Sequence, residues 1–238
     1  MARQQLNGAA YNWHAFTERQ ELAAALAGQV ADRLAQAITQ RGTALLAVSG
    51  GTTPARFFAA LSKIPIAWDK VTVTLVDERF VPASSPRSNA GLVASNLLQN
   101  AAKTARFLPL YHAAASIEAA AASDDAALQS LPWPLDVVIL GMGGDGHTAS
   151  FFPDADDLPV LLDPSSKRIV LPVHAQSAGE PRLTLSLARI IDAGFIALHI
   201  EGEDKRAAFE AAMQPGKQKP IRAVFDAAQR PVEVFWAP

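Results

Sequence analysis

Apolar residues recur along this chain at two distinct periods. Leu22, Leu26, Val30, Leu34 and Ile38 follow one another at helical spacing. Thr17-Glu18-Arg19-Gln20 precedes them with the spacing of a capping box, and Arg41-Gly42 supplies a stop, so the pattern predicts a long first helix. Ala44–Val48 is then a short, unbroken apolar run that ends abruptly at Ser49-Gly50-Gly51-Thr52-Thr53-Pro54. Residues 71–76 behave alike and end at Asp77-Glu78-Arg79, as do residues 136–140, which end at a glycine-rich loop. Runs of this kind suit strands buried on both faces.

Helices are expected between them over 54–61, 88–100 and 116–129. Further strands are expected over 169–173, 183–185, 195–200 and 232–236, with helices near 204–213 and 221–228. Strands alternating with helices give an α/β class: a mostly parallel, Rossmann-like sheet with helices on both faces. The acidic, proline-bearing stretch 153–164 reads as a surface loop. Without repeats or a linker, residues 1–238 are expected to form a single domain.

Composition narrows the function. Half of the 238 residues are hydrophobic and 18% are charged, with a net charge of −2. That supports a full core and provides no basic surface for nucleic acid. Cysteine is absent, which removes disulfides and thiolate chemistry and agrees with a reducing compartment. Residues 1–14 mix polar and apolar side chains unlike a signal peptide, and no run reaches membrane-spanning length. A cytoplasmic protein acting on a small molecule is expected; its oligomeric state has no signature here.

Three polar clusters follow three apolar strands directly, and ligands of open α/β sheets bind beyond strand carboxyl ends. In the first, Thr53 can cap the next helix with Pro54 at its first position, leaving the N–H groups of Gly50, Gly51 and Thr52 free to cradle an anion. An ordinary strand-to-helix turn would use the same glycines. A nucleotide P-loop is excluded because its lysine and hydroxyl pair is missing. In the second cluster, Asp77 and Arg79 supply a carboxylate and a guanidinium, alternatively no more than a solvated ion pair.

The third loop, Gly141-Met142-Gly143-Gly144-Asp145-Gly146-His147, contains a formal GxGxxG, and Asp163 stands near the distance of a ribose-binding acid. A dinucleotide site needs a helix directly after the glycines, whereas Phe151-Phe152-Pro153-Asp154 interrupts one. His147 is the better chemical candidate: a histidine in a glycine-rich loop at a strand end titrates near neutrality and can act as a general base, with Asp145 to orient it. His14, His112 and His199 read as structural, His174 is left open, and Arg182 and Lys205 are unremarkable singly. No G-x-S-x-G nucleophile elbow is present.

Taken in order, Ser-Gly-Gly-Thr-Thr-Pro (49–54), Val-Asp-Glu-Arg-Phe-Val-Pro (76–82), Ser88-Asn89, Leu-Gly-Met-Gly-Gly-Asp-Gly-His-Thr-Ala-Ser-Phe-Phe-Pro (140–153), Pro181-Arg182-Leu183-Thr184-Leu185 and Gly202-Glu203-Asp204-Lys205 resemble the 6-phosphogluconolactonases. The likeness spans nearly the whole chain. It departs from the family at Thr52, where serine is frequent, and at Gly179-Glu180, which replaces part of a Lys-Pro-Pro stretch.

The resemblance implies hydrolysis of 6-phospho-D-glucono-1,5-lactone to 6-phospho-D-gluconate in the oxidative pentose phosphate pathway, without metal or organic cofactor. It implies His147 as the base that activates water, with Asp77 and Asp145 in the site. It also implies phosphate binding by Ser49, Gly50, Gly51 and Thr52 together with Arg79, Arg182 and Lys205. The related glucosamine-6-phosphate deaminases carry a proton-shuttling glutamate five residues after the histidine, where this chain has Phe152. A non-catalytic sugar-phosphate sensor is a further alternative, though no helix-turn-helix candidate precedes Leu45.

Overall fold

The computed structural model describes the backbone of residues 2–6 and 9–238, and side chains from Tyr11 onward. Along the chain run β1 (Ala2–Leu6), β2 (Ala9–Ala15), α1 (Arg19–Arg41), β3 (Ala44–Val48), α2 (Ala55–Leu61), β4 (Val71–Leu75), β5 (Asp77–Arg79), α3 (Asn89–Asn96) and β6 (Arg106–Leu108). They are followed by α4 (Ile117–Leu128), β7 (Val137–Leu140), α5 (Leu158–Leu161), β8 (Val170–Val173), β9 (Arg182–Leu185), α6 (Leu187–Ile191), β10 (Phe195–Glu201), α7 (Glu203–Ala212), α8 (Pro220–Ala227) and β11 (Val232–Ala237).

The main sheet has the order β1-β2-β11-β10-β7-β3-β4-β6. Only β1 and β2 pair antiparallel in it; the other neighbours are parallel. The α/β architecture with a mostly parallel sheet therefore holds. Every residue of β3 and β7 is buried, the condition that makes their sequences continuously apolar.

α1 turns Leu22, Leu26, Val30 and Leu34 inward with four alanines beside them. Each such leucine contributes about 1.5–3 kcal/mol by leaving water. Gly42 closes the helix at φ 80°, its N–H donating to the Ile38 carbonyl at 2.8 Å, a left-handed geometry in which a Cβ would be strained.

Several local expectations are corrected. Glu18, not Thr17, occupies the cap position of α1, and the Thr17 hydroxyl donates to Glu21 instead at 3.0 Å. α2 begins one residue late, with Pro54 before it, so Thr53 caps nothing. The helix expected over 88–100 ends at Asn96 and gives way to a short 3-10 turn at Asn100–Thr104. The stretch read as a loop over 153–164 holds the single-turn α5. The apolar run over 71–76 bends at Val76, and the polar residues after it form β5, which joins β9 and β8 in a second, antiparallel sheet.

The strand order places the loops. From β3 the chain moves outward to β4 and β6, then returns to lay β7 on the other side of β3. At such a reversal neighbouring loops diverge and leave a crevice beyond the carboxyl ends. The loops that part here are the Ser49–Thr53 loop and the glycine-rich loop. They stay tied at their roots: Ser49 N–H donates to the Ile139 carbonyl at 3.0 Å, and Gly141 N–H to Ser49 Oγ at 3.3 Å.

Away from that edge, α4 packs on β8 and buries Asp124. Its Oδ1 lies 3.2 Å from His112 Nδ1, while Oδ2 has no partner among the described residues. Burial pushes its pKa up to about 7. A carboxyl whose folded pKa exceeds its unfolded one favours the native state while protonated, and that stability is lost as pH rises from the unfolded value through the folded one. We expect Asp124→Asn to leave stability nearly unchanged near pH 4 and to raise it by about 1–3 kcal/mol near pH 8. Urea unfolding of both proteins at the two pH values is the check; equal stability at pH 8 would remove the burial cost assigned to the Asp124 carboxylate.

Candidate active site

A cavity of about 360 Å³ opens at the switch point. One wall is the loop after β3, with Ser49, Gly50, Gly51 and Thr52; the glycine-rich loop contributes His147. The second sheet brings Asp77, Arg79 and Arg182, and α7 brings Lys205. Asp145 stands behind the imidazole rather than on the cavity wall.

The N–H groups of Gly50, Gly51 and Thr52 have no acceptor among the described residues. Gly51 takes φ 98°, a conformation natural to glycine alone. Gly50 is needed for a different reason: a Cβ there would lie 1.8 Å from Asn89 Oδ1. The loop leads into α2 at Ala55, so its free amide donors lie near a positive helix end, the kind of arrangement that attracts anions.

Asn89 connects three pieces of the site. Its Nδ2 donates to the Asp77 carbonyl at 2.8 Å, and its Oδ1 accepts from Arg79 Nη1 at 2.7 Å while pressing on Gly50. Glu78, next to them in sequence, has another task. Its fully buried carboxylate accepts from the N–H groups of Arg79, Asn89 and Ala90 and from the Ser88 hydroxyl, at 2.7–3.0 Å. Burial raises its pKa against those four donors. It anchors the N-terminus of α3 and is not an ion-pair partner for the Arg79 side chain.

The two guanidiniums are incompletely satisfied. Arg79 spends Nη1 on Asn89 and on the Arg87 carbonyl, and Arg182 donates from Nη2 to the Ala178 carbonyl at 2.9 Å. The buried Nε atoms of both have no partner among the described residues. Burial draws the Arg182 pKa below the usual arginine value, with Asp77 opposing and Arg79 reinforcing the effect. A buried Arg182 beside a half-buried Arg79, both with spare donors, favours an incoming anion. Glu180, on the segment where the family pattern is broken, ion-pairs with both Arg87 and Arg182. Asp77 accepts from the Ser150 hydroxyl at 2.7 Å.

His147 is held from three sides. Its Nδ1 lies 2.7 Å from Asp145 Oδ1, which also accepts from the His147 backbone N–H at 3.1 Å. A carboxylate only accepts, so Nδ1 donates to Asp145, and in the neutral ring the lone pair is then on Nε2; Nε2 has no partner among the described residues. Gly143 lies beneath: a Cβ on it would stand 2.2 Å from His147 Nδ1 and 2.5 Å from Asp145 Oδ1. This glycine admits the His–Asp pair itself. Phe152 covers the ring at a centroid distance of 4.4 Å.

Two wall residues lie outside the sequence expectations. His199, expected to be a satisfied structural side chain, reaches the cavity wall, with Nε2 3.2 Å from Glu201 Oε1 and Nδ1 buried without a partner among the described residues. Glu201 gathers Arg19 and Arg56 at 3.5 and 3.6 Å, which ties the starts of α1 and α2 to the end of β10. Burial tends to raise the Glu201 pKa, yet the His199 hydrogen bond and the surrounding cations outweigh it and lower the value. Both residues sit in an apolar strand pattern that gives no hint of a cavity.

Comparison with known proteins finds relatives that span this region. The family model described as glucosamine-6-phosphate isomerases/6-phosphogluconolactonase matches residues 17–236. A protein of Mesorhizobium japonicum named 6-phosphogluconolactonase is 81% identical over the full length of both chains. One of the same name from Rhizobium meliloti is 53% identical, covering 95% of this chain and 99% of its own. The crystal structure of a 6-phosphogluconolactonase from Shewanella baltica superposes with a TM-score of 0.90 at 38% identity, covering 96% of this chain and 98% of that one. With the whole site contained in the matched region, the chain belongs to the glucosamine-6-phosphate isomerase/6-phosphogluconolactonase family.

Proposed function

We propose that the protein hydrolyses 6-phospho-D-glucono-1,5-lactone to 6-phospho-D-gluconate in the cytoplasm, as a step of the oxidative pentose phosphate pathway, with His147 as general base. The observation that carries this reading is the pairing, in one cavity, of an imidazole oriented by Asp145 with an amide cradle and three cationic side chains. The cradle of Ser49, Gly50, Gly51 and Thr52, with Arg79, Arg182 and Lys205, holds the phosphate.

His147 Nε2 takes a proton from water as the oxygen attacks the lactone carbonyl. The tetrahedral oxyanion is stabilised by the cations and amide donors of the wall. As it collapses, the bond from the carbonyl carbon to the ring oxygen breaks, and that oxygen recovers a proton from the imidazolium to become a hydroxyl. The carboxylic acid then ionises, and His147 is again neutral. Protein groups and water suffice for the step. A δ-lactone is an activated ester, so a positioned base supplying about 10²–10⁴-fold is adequate without a covalent intermediate. A deaminase reaction would need a proton-shuttling carboxylate where Phe152 presents a ring, and an aromatic hydrocarbon carries no proton.

The purified protein is expected to accelerate the opening of freshly generated lactone well above its spontaneous rate and to release no ammonia from glucosamine 6-phosphate; ammonia without lactone opening would overturn the assignment. His147→Ala should lose about 10²–10⁴ in kcat with the fold retained, whereas Lys205→Ala should act mainly on KM. Near-wild-type turnover by His147→Ala would take the base role away from it. Gly143→Ala must push the His147–Asp145 pair aside, so we expect it to cut kcat by at least ~10-fold while binding of 6-phosphogluconate, followed by calorimetry, changes little. A fully active Gly143→Ala enzyme would show that the close packing has no bearing on turnover.

A further inference from the structure

The five residues after His147 make a compressed reversal. Phe151 N–H donates to the Thr148 carbonyl at 3.0 Å, and Ala149 adopts φ 50°, an uncommon left-handed conformation for a residue with a Cβ. Such strain persists only where the surroundings over-determine it. Here Thr148 Oγ1 donates to the Gly141 carbonyl at 2.8 Å, Ser150 is tied to Asp77, and Phe151 is fully buried. The reversal delivers the next side chain, Phe152, back onto the imidazole.

Phe152 therefore touches both halves of the machinery. Its ring centroid lies 4.4 Å from that of His147 with planes 34° apart, and Arg182 Cζ lies 5.4 Å from the same centroid. It is only 4% exposed and Arg182 is buried beside it, so that contact is little screened, while the His147 contact faces the cavity. The face of an aromatic ring carries negative potential and attracts cations most when desolvated. Arg182 is a cation throughout; His147 becomes one only after it has taken the proton from water.

We propose that Phe152 is a positioning residue that seats the His147 imidazole and the Arg182 guanidinium on one ring and favours the imidazolium formed during lactone opening. This rests on His147 being the base. Asp145 fixes the imidazole at its edge, through Nδ1, and Gly143 underlies the pair; the ring of Phe152 packs on the imidazole face. The same ring supports Arg182, whose guanidinium makes one hydrogen bond among the described residues, to the Ala178 carbonyl, besides its ion pair with Glu180. Loss of the ring should thus disturb two kinetic constants together: kcat through the base and KM through the cation.

The decisive experiment replaces Phe152 by mono-, di- and trifluorinated phenylalanine, which withdraw charge from the ring face with little change of shape. We expect kcat for 6-phosphogluconolactone to fall stepwise with each fluorine, to on the order of ten-fold in total, at unchanged melting temperature. A flat series would overturn the proposal, because a merely space-filling ring would not respond. Phe152→Leu should lower kcat and raise KM, each by at least ~3-fold, and Phe152→Leu in an Arg182→Ala background should raise KM no further. Fully additive KM effects would also overturn it. If Phe152→Leu does not fold, the nearly isosteric fluorinated series still decides. Full activity of His147→Ala would instead sink the base assignment itself, whereas an inactive His147→Ala enzyme with a flat fluorine series would sink only the role of Phe152.

Discussion

Parallel strands cannot be joined by tight turns, so each connection leaves from a carboxyl edge and travels over a face of the sheet. In this protein the direction of that travel reverses once between β3 and β7. The reversal separates two loops whose parent strands are hydrogen-bonded to each other, and the cavity occupies the gap. Everything chemical depends on that separation. The amide cradle belongs to one loop and the imidazole to the other, while their roots stay joined through Ser49.

The second sheet completes the enclosure. It is short and antiparallel, and its strands β5 and β9 bring Asp77, Arg79 and Arg182 to the cavity wall. Charged residues are tolerated there because each has a specific neighbour: Ser150 for Asp77, Asn89 for Arg79, Glu180 for Arg182. Glu78 shows the other solution to the same problem. It faces away from the cavity and has all its acceptor capacity filled at the N-terminus of α3, a buried carboxylate kept for anchorage. Adjacent carboxylates thus serve different ends because a strand sends successive side chains to opposite faces.

The long-period features were legible from sequence. α1, β3, β7 and β10 are specified by burial repeated over many residues, and tertiary context had little room to override them. The glycine-rich loops were legible as sites because their parent strands end so abruptly. What escaped were elements set by pairing rather than by pattern. β5 is three polar residues whose strand geometry exists only because β9 lies beside it. The start of α2 moved past Thr53 because Pro54, not a capping side chain, precedes the helix. Asn89 stood out only through the family likeness, since its role requires Gly50 and Arg79 to be close in space. His199 and Glu201 look like any strand residues until the cavity beyond β10 is seen.

Gly50 and Asn89 occupy the same volume in the only sense available to covalent matter: one lacks the atoms that the other supplies. A larger residue at either position displaces its counterpart, and with it the guanidinium of Arg79 and the amide cradle together. The two positions, far apart along the chain, therefore form a single unit of variation. Change in this lobe of the site has to proceed through paired substitutions, so the geometry of the amide loop is far less free to drift than its length and exposure would suggest.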